Sequence, residues 1–174
     1  MARTSSSKKN IRQILALVVA VVVVLGVVFA ATSWWNSRPG RQPQDVSVTA
    51  HVGDQSTDVF PYMLFEPGVE PNEGEPTVVE LGPDEKMTLD IPREIHNHDW
   101  QLLTIYDDPA ANEQQLFAGY DSDSVTVAGS LDPLTEGGPR PRLVVVEISS
   151  VLIGTDANGE ETPYTTYWSI ATGA

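Results

Sequence analysis

The chain contains no cysteine, which removes disulfides, thiol nucleophiles, thiolate metal centres and an acylated N-terminal cysteine together. Whatever fold it adopts is held by packing. Cations are nearly as scarce in most of the chain: beyond Arg41 only Lys86, Arg93, Arg140 and Arg142 stand against all 24 acids, four against 24, a net charge of −20 for that part. Such a field repels phosphate backbones and anionic headgroups, which excludes nucleic-acid binding, and it attracts cations or a basic protein surface. The plainer reading is that the acids keep a small domain soluble. No glycine-rich phosphate loop, dinucleotide fingerprint or Gly-x-Ser-x-Gly turn is present, so no cofactor is expected. Past Asp45 there is also no ten-residue amphipathic helix.

Long hydrophobic runs are absent except for one. Ile14 to Ala31 is eighteen residues without a charge, and at 1.5 Å per residue it reaches about 27 Å, close to the thickness of a hydrocarbon core. Its many valines are poor helix formers in water, but in lipid a helix satisfies every backbone group internally. Residues 1–13 carry Arg3, Lys8, Lys9 and Arg12 and no acid, while Trp34 and Trp35 follow the run. These flanks predict a basic cytoplasmic tail (1–13), a transmembrane signal anchor in the plasma membrane (14–35) and an extracytoplasmic remainder. The alternative is secretion after signal-peptide cleavage, for which Val28-Phe29-Ala30 offers suitable small residues. Pro39, Gly40 and Pro43 among polar residues read as a linker over 36–45.

The remaining residues, 46–174, form one domain of ordinary size. Strand patterns run over 46–52, 57–65, 77–81, 86–91, 100–106, 124–128, 143–153 and 164–171. Met87, Leu89 and Ile91 alternate with Lys86, Thr88 and Asp90; Trp100, Leu102, Thr104 and Tyr106 share one face of another strand, with Trp100 the expected central aromatic. Asn158-Gly159, between Ile148 to Ile153 and Tyr164 to Ile170, is a hairpin signal because both residues tolerate the positive φ of a type I′ turn, although the connection looks longer than two residues; it predicts that the last two strands pair antiparallel. The fold class is therefore all-β: an immunoglobulin-like β-sandwich of seven or eight strands, with a small β-barrel as the alternative. The stretches 66–76 and 107–124 are long connections, where binding tends to reside.

The order of the opening strand Val46 to Val52, Lys86-Met-Thr-Leu-Asp-Ile-Pro92, Asp99-Trp-Gln-Leu-Leu-Thr-Ile-Tyr106 with Asp107-Asp108-Pro109, and Tyr167-Trp-Ser-Ile170 resembles an actinobacterial family of unknown function found in corynebacteria and mycobacteria. The resemblance implies one N-terminal span and one small secreted β domain. It also implies a cysteine pair near Tyr62 to Asn72, which this chain lacks. No activity and no functional residue come with it.

Candidate chemistry is sparse. His96 and His98, at i and i+2 on a strand, could face one side and form a metal site with Asp99, with His51 as a further ligand. The competing reading is a polar turn between two strands. Calcium candidates are Asp121 with Asp123, and Asp156, Asn158 and Glu160, although the glycine and distal glutamate spacing of an EF-hand is missing. Ser149 and Ser150 sit inside an apolar strand, and Asp107-Asp108 is one acidic pair among many. The expectation is a protein that is not an enzyme: a membrane-anchored interaction or accessory module binding another membrane or envelope protein. A divalent-cation binder and an envelope hydrolase are the alternatives.

Overall fold

A computed structural model describes residues 24–29, 32 and 41–173. Residues 24–29 and Thr32 are helical. Most of the expected span at 14–35 lies outside the described residues, and no described helix is long and apolar enough to cross a membrane. The chain divides into two compact units at Gly40 and Arg41. Residues 41–45, expected as linker, belong to the second unit: a 3-10 turn at Pro43–Asp45 buries Pro43, and the Gln42 side chain bonds Thr155 through both its amide groups.

From Arg41 onward the domain is all-β. A hairpin of β1 (Val48–Val52) and β2 (Gln55–Val59) is followed by three short strands, β3 (Met63–Phe65), β4 (Asn72–Glu73) and β5 (Thr77–Glu80). Next, β6 (Lys86–Asp90) leads through the helical turn α1 (Arg93–His96) into β7 (Trp100–Tyr106). The chain closes with β8 (Glu113–Phe117), β9 (Ser124–Ala128), β10 (Leu143–Thr155) and β11 (Glu161–Gly173). Four strands make one sheet in the order β2-β1-β6-β9. The other seven make a sheet ordered β4-β3-β11-β10-β7-β8, with β5 also on β11. Every pairing is antiparallel except β5 with β11. Two separate sheets replace the closed barrel held as an alternative, and eleven strands replace seven or eight.

Several differences have local causes. The stretch 57–65 is interrupted at Phe60-Pro61, and its halves join different sheets, since proline cannot donate to a ladder. Asp156 to Glu160 joins β10 to β11 antiparallel by five residues, a connection longer than two as expected, and of Asn158 and Gly159 only the glycine takes positive φ. The Asp156 carboxylate organises that loop, accepting from the backbone N–H of Glu160 and Asn158.

The inward faces of both sheets feed one core. Val48, Ala50, Val59, Met87, Leu89 and Val127 come from the four-stranded sheet; Trp100, Leu102, Val146, Ile148, Trp168 and Ile170 come from the larger one. Each such valine, leucine, isoleucine or methionine contributes roughly 1.5–3 kcal/mol on burial. The period-two reading of β6 and β7 holds, since Met87 and Leu89 are buried and so are Trp100, Leu102, Thr104 and Tyr106. The central aromatic, however, is Trp168. It is completely buried, and its indole N–H donates to the Val46 carbonyl at 2.8 Å, closing the start of the domain over the core. Trp100 is also buried but stacks on Phe117 at the margin, with ring centroids 4.1 Å apart, and its Nε1 has no partner among the described residues.

This contrast is testable by urea unfolding. Trp168→Phe and Trp100→Phe remove similar volume, but only the first strands a buried carbonyl. Trp168→Phe is expected to cost about 1–2 kcal/mol more than Trp100→Phe, and equal losses would remove the Val46 bond from the account.

Candidate functional site

The two sheets differ sharply on their outer faces. On the four-stranded sheet, outward residues form a polar mesh of cross-strand pairs: Thr49 with Asp58, Thr88 with Thr126, His51 with Asp90, and Ser124 with Asp90. That is the normal finish of a solvent-facing sheet. The seven-stranded sheet instead turns Leu103, Ile105, Val145, Val151, Ile153, Phe65 and Val78 outward, half-buried or exposed. Among the described residues no helix covers this face. Its strands contain no lysine, arginine or histidine and five glutamates. One of them, Glu147, accepts a 3.0 Å bond from the Tyr62 hydroxyl.

At one end of this face lies an open groove of about 550 Å³. It exists because β10 and β11 are thirteen residues long while β7 begins only at Trp100, opposite Ser150. Beyond that point β10 pairs only with β11. It is lined by Trp100 and Gln101 of β7, by Leu116 of β8 and Asp121 on one side, and by Val151 of β10 and Thr165 of β11 on the other. Leu116 is 77% exposed although it sits on a sheet. The turn after β8 is pinned: Gly119 N–H donates to Asp99 Oδ1, Ala118 N–H to Asp121 Oδ2, and Tyr120 N–H to the His96 carbonyl at 2.7 Å. A Cβ at position 119 would meet the Asn97 carbonyl oxygen at 2.8 Å, so glycine is needed there. The next residue, Tyr120, is held at φ 69° with its ring 75% exposed.

The residues singled out for chemistry are mostly occupied by local structure. His96 ends α1 and is not on a strand, so the i, i+2 geometry proposed for His96 and His98 does not apply; His98 is exposed, and Asp99 caps the 119 turn. His51 lies on the other sheet, its Nε2 3.0 Å from Asp90 Oδ2. Among the described residues no three of His, Asp and Glu gather in a metal-holding cluster. Asp107 and Asp108 accept backbone N–H groups of Arg142 and Ala110, and the Ser150 hydroxyl donates to the Asp99 carbonyl. The N–H of Glu160, with help from Asn158, holds the Asp156 carboxyl below its ordinary value.

Sequence reasoning missed β8 and hence one wall of the groove. Its five residues, Glu-Gln-Gln-Leu-Phe, are exposed except for the half-buried Phe117, so they carry no alternation to detect. The usable signal was the lack of cations in β7, β10 and β11.

Burial, reinforced by the Glu147 carboxylate, pushes the Tyr62 hydroxyl up to about 12; burial also raises Tyr106 and Tyr164. The folded state thus favours the neutral phenol, and this contribution is intact below pH 10 and lost as pH climbs from 10 to about 12. The wild-type unfolding midpoint is expected to fall across that window, and Tyr62→Phe to fall less steeply. Parallel curves would show that the Tyr62–Glu147 bond does not persist in solution.

Fold and surface together define an all-β domain of two sheets, one of them with an outer face on which exposed apolar residues stand among uncharged polar ones and Glu147. The chain belongs to the DUF2771 family, proteins of unknown function, whose model matches residues 41–173. It is similar to the uncharacterized protein Rv0875c of Mycobacterium tuberculosis strain H37Rv and to the uncharacterized protein Mb0899c of Mycobacterium bovis. Each is 29% identical over 155 residues, covering 86% of this chain and 90% of the relative. That share exceeds the residues from Arg41 onward, so the likeness runs into the segment before the domain. No solved structure matches the chain.

Proposed function

We propose that the protein is a membrane-anchored, extracytoplasmic interaction module, an accessory part of the cell envelope or of a membrane protein complex, without catalysis of its own. The observation that carries this reading is the outer face of the seven-stranded sheet. Leu116, Val151 and Ile153 are each more than half exposed on one sheet face, and their burial against a partner is what this reading supplies. The anchor is supported by the uncharged run before the domain, by the helical state of residues 24–29 and by the reach of the mycobacterial likeness past Arg41.

Immunoglobulin-like topology is supported by the pairing order. β6 pairs with β9 in one sheet, while β7 pairs with β10, β10 with β11 and β8 flanks β7 in the other. In the proposed reading these pairings correspond to the B–E and C′–C–F–G order of such a sandwich, and β1 beside β6 corresponds to its first strand. Anchoring raises the local concentration of such a module, so modest contacts suffice.

The test is purification of the full-length protein from its own membranes in mild detergent, with chemical cross-linking and mass spectrometry. A stoichiometric partner is expected, together with cleavage of the domain by protease added to intact cells. A protein that comes away alone in several detergents, or a domain shielded until the membrane is breached, would overturn the reading.

A further inference from the structure

We infer that the groove at the start of β7 receives an extended segment of a partner protein in which apolar side chains are interspersed with lysine or arginine. This rests on the interaction-module reading and names the chemistry of the partner. Three independent features converge there. The first is shape: the groove is open, its walls carry Leu116 and Val151, both more than half exposed, and β8 beside it pairs only with β7. The free edge of β8 holds neither lysine nor proline, the residues that usually blunt an edge against strand addition.

The second is charge. Asp99 and Asp121 both line the groove, and each spends one oxygen on the 118–119 turn, leaving Asp99 Oδ2 and Asp121 Oδ1 with no partner among the described residues. Among the described residues no cation lines the groove or lies on any strand of its sheet. A second copy of the same face would bring carboxylates against carboxylates, so self-association is disfavoured and a cationic partner preferred. The third is an aromatic close by. Tyr120 precedes the groove residue Asp121, its backbone is in a left-handed conformation that costs a non-glycine residue free energy, and its side chain is exposed. An exposed tyrosine adjoining a groove in sequence adds contact area for a segment lying there.

The test places a photoreactive benzophenone amino acid at Val151 in the full-length protein in its own membranes, and at Thr126 on the opposite sheet as control. The expected result is an adduct at 151 with another protein, whose cross-linked peptide contains apolar residues with Lys or Arg. Its yield should fall about tenfold in Asp99→Asn/Asp121→Asn, which retains the acceptors for the turn, and in Leu116→Lys, an exposed position that does not threaten the fold. An acidic or uncharged peptide, yields unchanged in both variants, or an adduct of the protein with itself would overturn the proposal. Adducts only at 126 would overturn the groove while leaving the interaction module standing. Adducts at neither position, with no partner in the purification, would remove both.

Discussion

The pairing of β10 with β11 is the interaction on which the rest of the domain depends. Eleven residue pairs, from Val145 with Ala171 to Thr155 with Glu161, lock the two longest strands together. Every other strand of the larger sheet is placed relative to them: β7 and then β8 on the flank of β10, β3 and β5 on the flank of β11. The same ladder supplies the inward row Val146, Ile148 and Leu152 and, across it, Trp168 and Ile170, against which the four-stranded sheet closes. With no disulfide to help, this closure is what makes two sheets one domain. The Trp168 bond to Val46 ties the first residues of the domain to the last strand.

How legible this was in the sequence follows from how each strand is used. β6 and β7 have one buried face, so the alternation of Met87 and Leu89, and of Trp100 to Tyr106, marks them plainly. The long hairpin is equally readable because apolar stretches flank a glycine turn. β8 is invisible because it buries almost nothing, and β4 because it is two residues long; both are recruited by an existing edge and not by their own pattern. Trp100 was the more obvious aromatic anchor, being in mid-chain, but depth in the core depends on which strand lies at the middle of the sheet. That distinction belongs to Trp168.

The candidate site was the least legible part, for a related reason. A docking surface made from strand residues looks like a core pattern, since outward and inward apolar residues are identical in a sequence. Only pairing registers separate Val151 and Ile153, which face out, from Leu152, which faces in. The residues that did stand out, the histidines and paired acids, are those that build turns: Asp99, Asp107, Asp108 and Asp156 all accept backbone N–H groups. The carboxylates that stood out in the sequence serve local turns, and the candidate surface is carried mostly by strand residues that a sequence cannot tell from core.

The ends of β11 carry a further consequence. Gln42 and Pro43 dock near Thr155 and Gly154, at the hairpin where β11 begins, whereas the chain leaves the domain at the far end of the same strand. At about 3.3 Å per residue the two points are separated by roughly 40 Å. Entry and exit therefore sit at opposite ends of one stiff member, so a load applied between them acts in shear along the β10–β11 ladder. Shear strains many hydrogen bonds together, whereas peeling would break them in succession. The β10–β11 ladder therefore resists separation of its two ends with many hydrogen bonds acting together.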